Sequence, residues 1–298
     1  MLIKNDFHIH SHCSCDSACA QIADILKEGR AAGLDHIGIS DHLHTGFNLP
    51  DIEIARREFD ALGDTPHFHF GLEITCATAW ECEKIAKRDF ASCFTYTLKG
   101  IPFQTMTPID GIMYGGPANG PLQIDITQAE IDRLGIEYII GGVHKPNYTE
   151  QEPETMIDDF FNQTCFMLKN EFIDIIAHPW DGLPFWSGCF IVTRDPADRK
   201  MEVFYQIPQE YWDEIGHLAK QNNKLIEINI GSGIIKNEKI YDFYMTKLSE
   251  WREKGVKFTY GSDQHQAHYN TEKLDFFNSS LKKYGFTEND FGLPPRLK

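Results

Sequence analysis

No stretch of the chain is apolar for long enough to cross a bilayer. The most apolar segments, such as 136–143, fall far short of the roughly 20 residues that a spanning helix needs. The first six residues, Met1-Leu2-Ile3-Lys4-Asn5-Asp6, lack the long apolar core of a secretory leader. A cytoplasmic location with no membrane partner is therefore the expectation. Positive charge is also scarce. Lys and Arg total 28 against 44 Asp and Glu, a net charge of −16. A surface of that sign repels a nucleic-acid backbone over most of its area, so no nucleic-acid polymer is expected as a partner. Cysteine is thinly spread, eight in 298 residues, unlike a small secreted domain stapled by disulfides. Cys13, Cys15 and Cys19 lie close together, but no Cys-x-x-Cys pair downstream completes four thiolate ligands, and they read as reduced structural thiols. Also missing are a Gly-Lys-Ser/Thr phosphate loop and a His-Glu-x-x-His helix.

What is present is an alternation of short β-rich runs with amphipathic helical stretches. Strands are expected at 2–8, 34–40, 67–75, 136–143, 172–177, 224–230 and 256–261. Helices are expected at 18–32, 52–62, 79–90, 128–134, 154–169, 209–222, 239–254 and 271–284. Segments 93–123 and 179–207 interrupt this pattern. The first is dense in Gly and Pro and reads as loop or a small excursion. Nothing resembles a linker, so residues 1–298 are expected to form one domain. Repeated βα units imply a mostly parallel α/β sheet, and seven in series suit a closed, TIM-like (βα)7 barrel better than an open doubly wound sheet.

The chemistry sits at the ends of those strands. Strand one ends His8-Ile9-His10, strand two Ser40-Asp41-His42, and strand three contains Glu73. Strand four ends at His144, strand five at His178, and strand seven runs into Asp263-Gln264-His265. In a parallel βα barrel all these ends open on the one face where catalytic groups gather. Residues i and i+2 of an extended strand point the same way, so His8 with His10, and Asp263 with His265, can grip an ion together. One such histidine alone reads as a hydrogen-bonding residue. Six strand ends bearing the same few residue types read as a polynuclear site for Zn, Mn or Fe.

The series His8-x-His10, Asp16, Asp41-His42, Glu73, His144, His178 and Asp263-x-His265 resembles the polymerase-and-histidinol-phosphatase (PHP) family. Within it, His10 to Ser17 and the strand-six ending Glu227-Ile228-Asn229 are similar to the histidinol-phosphate phosphatase branch. The resemblance implies a distorted seven-stranded barrel with three divalent ions. It would place His8, His10, Glu73 and Asp263 on one ion, with Glu73 bridging to a second held by His144 and His178. Asp16, His42 and His265 would hold the third.

It also implies a metal-dependent phosphoesterase acting on a small phosphorylated substrate such as histidinol phosphate. A hydroxide shared by the metals would attack in line, with Asp41, Glu73 and Asp263 as the catalytic carboxylates. Asp41 reads more simply as a residue that orients a neighbouring histidine. Lys145, Arg194, His12 and His268 are candidates for the substrate side, Lys145 and Arg194 as phosphate-gripping cations. His44 reads as substrate-side or exposed, and His36, His67, His69 and His217 as structural. Two alternatives stay open: a phosphodiesterase or nucleotide phosphatase with the same trinuclear site, and a non-catalytic metal-binding module.

Overall fold

Hydrophobic spacing and side-chain caps determine where the helices lie. In α1 (Ile22–Ala31) the residues Ile22, Ile25, Leu26 and Gly29 form one buried face. The helix α2 (Leu49–Ala61) buries Ile52, Ala55 and Phe59 and carries Pro at its first turn. Thr78 caps α3 (Ala79–Ala86) by accepting from the Glu81 amide, and Thr127 with Glu130 forms a reciprocal box at the start of α4 (Gln128–Leu134). The longer helices α5 (Pro153–Lys169), α6 (Gln209–Gln221), α7 (Glu238–Glu253) and α8 (Thr271–Lys283) complete the outer layer. The structure is a computed structural model that describes residues 1–89, 94–98, 101–105, 111–113, 116–117, 119–147, 152–186, 201–230, 232–266 and 268–297.

Between the helices run the seven parallel strands β1 (Asn5–Asp6), β2 (His36–Leu43), β3 (Phe68–Thr75), β8 (Tyr138–Gly142), β9 (Ile175–Ile176), β10 (Leu225–Ile228) and β11 (Lys257–Tyr260), hydrogen-bonded in that order. The ring closes just beyond the ends of β1 and β11. There Asp263 N donates to His8 O at 2.8 Å and His10 N to Gln264 O at 3.0 Å. The expected strand 2–8 is thus only two residues of ladder, because its far end pairs with residues after β11. One set of strand faces packs against the helices in the main core. The opposite faces meet in a second cluster of Phe7, Tyr138, Ile140, Ile175, Ala177 and Leu225. A nearly closed α/β barrel results, as expected.

The excursion after α3 is more ordered than its glycines and prolines suggest. It contains an antiparallel hairpin, β5 (Phe94–Leu98) with β6 (Ile101–Thr105), and β7 (Leu122–Gln123) pairs with β4 (Ala77–Thr78). All of 187–200 and parts of 90–118 lie outside the described residues. Among those described, no helix is long and apolar enough to cross a membrane.

Candidate metal centre

The alternation of the pleat brings the strand-end residues to one place. On β8, residues 138, 140 and 142 share a face with His144, which continues the strand upward. Across β2 and β3 the register sets His42 directly beside Glu73. Glu73 is the hub. Its Oε1 lies 2.8 Å from His144 Nε2 and 3.2 Å from His178 Nε2, and its Oε2 lies 3.0 Å from both His8 Nε2 and His42 Nδ1. The other carboxylates flank it. Asp263 Oδ1 is 3.1 Å from His10 Nε2 and 3.5 Å from His8 Nε2. Asp16 Oδ2 is 3.2 Å from His42 Nε2 and bonds His265 Nε2.

These residues form four overlapping groups whose ligand atoms lie within 4.8 Å of one another: His8-His10-Asp263, His8-Glu73-His178, His42-Glu73-His144 and His10-Asp16-His42-His265. All nine residues expected as ligands are in the cluster. His144 and His178 both meet Glu73 Oε1, and each falls in a group with Glu73 and a second histidine, His42 and His8 respectively.

Supporting bonds hold the ligand atoms in place. Glu227 Oε1 lies 2.6 Å from His8 Nδ1, and its Oε2 accepts from the His178 amide at 3.0 Å. Thr75 Oγ1 lies 2.7 Å from His144 Nδ1 and 2.5 Å from His44 Nδ1. Asn229 donates to Asp263 Oδ2 at 3.3 Å. Two glycines leave room for the carboxylates. A Cβ at Gly142 would sit 2.7 Å from Glu73 Oε1, and one at Gly261 would sit 1.8 Å from Glu227 Oε1. His178 and Asp263 have left-handed backbones, φ 25° and 53°, a strain of about 1–3 kcal/mol each that persists where surrounding bonds enforce it.

The electrostatics follow from this crowding. Burial would lower His8, but the carboxylates of Glu227, Glu73 and Asp263 outweigh it and hold the imidazole well above its ordinary range. Burial likewise opposes His178 and His265, yet Glu73 raises the first to about 9 and Asp16 the second to about 9. Asp16, Glu73 and Asp263 are desolvated, and their histidine neighbours still hold all three well below the usual carboxylate range.

The donor set fits divalent transition ions. Glu73 Oε2, His42 Nδ1 and Asp16 Oδ1 are buried without a hydrogen-bond partner among the described residues, although the first two are only 3.0 Å apart. The Nε2 atoms of His8 and His10 face each other at 3.1 Å. Lone pairs that converge in this way are what a cation between them would use.

The remaining candidates have other surroundings. Asp41 lies outside these groups. It is buried, its carboxylate accepts from Ser11 N and Ser11 Oγ at 2.6 Å each, and desolvation raises its pKa. It anchors the loop after β1. Lys145 is 2% exposed, with its ammonium 2.8 Å from Glu81 and 3.2 Å from Asn147, so an internal carboxylate already balances its charge. The His268 side chain is 89% exposed, stands 3.5 Å from Glu28 and borders the cavity beside Asp263 and His265. His12 faces Glu58 rather than the centre, and Arg194 lies outside the described residues. His44 is buried rather than exposed: its ring stacks on His42 with centroids 4.5 Å apart, and burial sends its pKa well down. Sequence reasoning assigned no role to Thr75 or to the Glu227 carboxylate, although Glu227 ends a strand as the ligands do. A cavity of about 580 Å³ opens beside Asp263 and His265, lined also by Tyr269, Asn270, Glu272 and Lys273.

A parallel barrel with clustered imidazoles and carboxylates at its strand ends has the architecture of a metal-dependent catalytic barrel. The chain belongs to the PHP domain family, whose model matches residues 6–231. That match ends before Asp263 and His265, which the fold returns to the same cluster. In overall structure the chain is similar to a histidinol phosphate phosphatase from Lactococcus lactis subsp. lactis, solved with zinc, L-histidinol and phosphate. The TM-score is 0.58 at 18% identity, over 95% of this chain and 94% of that one. It is also similar to a putative histidinol phosphatase from Listeria monocytogenes, with TM-score 0.51 at 13% identity over 89% and 96%. No curated protein sequence matches the chain.

Proposed function

We propose that this protein is a metal-dependent phosphoesterase that hydrolyses a small phosphomonoester, with histidinol phosphate the first substrate to try. One observation carries the reading. The two oxygens of the single buried carboxylate Glu73 are divided between His144 with His178 and His8 with His42. A carboxylate so placed is built to bridge adjacent cations. Three ions of the Zn, Mn or Fe kind would be held by His8, His10, Asp16, His42, Glu73, His144, His178, Asp263 and His265. Bound there, such ions lower the pKa of a shared water to about 7 and offset negative charge on phosphate oxygens.

The chain's own residues do the rest. Glu227 and Thr75 keep the ring nitrogens of His8 and His144 aimed inward, as partners of ligating histidines do. Asp41 pins Ser11 and with it the loop that leads to Asp16. The cavity beside Asp263 and His265 receives the substrate, and Lys273 supplies a cation in its lining. In the reaction a water oxygen forms the new P–O bond as the ester oxygen leaves with a proton, giving an alcohol and inorganic phosphate. The zinc, L-histidinol and phosphate bound by the Lactococcus protein support this choice of substrate.

The test is phosphate release by metal-reconstituted protein from a panel of histidinol phosphate, sugar phosphates, nucleotides and a diester. Preference for histidinol phosphate supports the full reading. Preference for another monoester keeps the chemistry and moves the substrate, and preference for the diester makes the protein a phosphodiesterase. Silence across the panel with metal bound would leave a non-catalytic module. Glu73→Gln should lower bound metal and reduce turnover to background; near-normal turnover would overturn the bridging role.

A further inference from the structure

The loop that delivers Asp16 carries a second set of ligand atoms on its outer side. His12 Nε2 lies 3.4 Å from Glu58 Oε1 and 3.8 Å from Cys13 Sγ. All three donor atoms fall within 4.8 Å of one another, and none of these residues takes part in the groups built on Glu73, Asp16 and Asp263. His12 and Cys13 belong to the loop after β1, whereas Glu58 projects from α2, so the cluster joins two separate elements. A cavity of about 340 Å³ opens beside His12 and Cys13, with Asp51 and Cys15 also in its lining. Asp51 and Glu58 are seven residues apart on α2, two turns along one face.

The chemistry of the trio is specific. Imidazole, thiol and carboxylate together make a ligand set for a borderline-soft ion, and three protein ligands with open space beside them leave a position for water. Burial, with the carboxylates of Asp41, Glu58 and Asp51, pushes Cys13 up to about 11, which disfavours a free nucleophilic thiolate. The donor atoms of His12, Cys13 and Glu58 converge closely enough to share one metal cation.

We propose that His12, Cys13 and Glu58 form a separate site for one divalent transition ion of the zinc class, which ties the Asp16 loop to α2. As the sulfur–metal bond forms, the thiol proton passes to water. The site lies outside the set of ligands assigned to phosphoester chemistry, and it stands or falls independently of that assignment.

Cobalt(II) is the probe, because a thiolate ligand gives a charge-transfer absorption that imidazole and carboxylate ligands do not. The four groups of the main centre contain no cysteine, so among the described residues that band reports the outer site. Full-length protein reconstituted with cobalt should show the thiolate band. Cys13→Ser should abolish the band together with one cobalt per chain and leave the remaining cobalt in place, whereas Cys15→Ser should keep the band. Glu58→Gln, at a half-exposed position, should weaken binding of the band-forming ion tenfold or more, and it carries the test if Cys13→Ser fails to fold. Absence of the band in the parent protein, its survival in Cys13→Ser, or unchanged affinity in Glu58→Gln would overturn the proposal.

Discussion

At the scale of single residues, Glu227 governs the centre without facing the space between the ligand atoms. One of its oxygens meets His8 Nδ1 and the other the His178 amide, so it fixes both the tautomer of one histidine and the backbone of another. Removing its charge should leave the fold intact and loosen the ions. Glu227→Gln is expected to cost about 10- to 100-fold in metal affinity, the range typical of partners behind a ligating histidine. Competition with a chromophoric chelator measures this, and unchanged affinity would make Glu227 a packing residue. Eight of the nine clustered residues lie at strand ends, where residue type and strand position coincide in the sequence, whereas Asp16 stands in the loop after β1 and was reached through the family resemblance. The Glu227 contact was not, since it depends on the ring closing so that only β11 separates β10 from β1. Cys13 was read for a thiolate partner downstream, whereas its neighbours are His12 and a glutamate 45 positions further on. Sequence spacing does not convey that proximity.

At the scale of elements, the helices matched their expected positions closely, and the strands except β2, shifted to His36–Leu43, ran shorter. Ladders such as Asn5–Asp6 and Ile175–Ile176 are only two residues long, because the strand ends turn away to aim ligands rather than extend the sheet. The hairpin Phe94–Leu98 with Ile101–Thr105 was hidden by Pro102, which lies in its second strand but reads as a breaker. At the opposite end of the barrel, Glu137 holds the entrance to β8. It accepts from Phe70 N and from His69 Nδ1, both at 2.9 Å. Burial raises its pKa, but these bonds and the charges of His69 and Arg56 outweigh that and keep it below the ordinary 4.5. A carboxylate depressed by folding contributes stability above its unfolded pKa and loses it as pH falls through the folded one. Glu137→Gln should therefore cost roughly 1 kcal/mol at pH 7, a modest figure because the side chain is partly exposed. The gap to the parent protein should close below about pH 4.5. Thermal melts at pH 7 and 4 test this, and a gap that does not shrink in acid would assign the loss to packing.

For the whole molecule, the centre is a point of closure as well as of chemistry. Six of the seven strands send ligands to it, and the ring itself is sealed by His8 and His10 bonding to residues 263 and 264. Ions bound there would link the first and last strands through Asp263, His8 and His10, so stripping them should loosen the barrel as a unit. Ligand present at a thousand times its dissociation constant stabilises a fold by about 4 kcal/mol, a drop on the order of 10 °C when it is removed. The pH dependence of that drop has a definite sign. In the stripped protein His178 and His265 are raised to about 9 by Glu73 and Asp16 despite burial. Their protonated rings balance the buried carboxylates below the ordinary histidine pKa, and that stabilisation is lost as pH rises through 9. Metal ions compete with those protons and bind more tightly as pH rises. The difference in melting temperature between loaded and chelator-treated protein should accordingly be smallest near pH 6 and widen toward pH 9. Calorimetry of both forms across that range decides it. A difference that stays constant or narrows would mean that the imidazoles are not exchanging protons for metal, and that the cluster is held together by its hydrogen bonds alone.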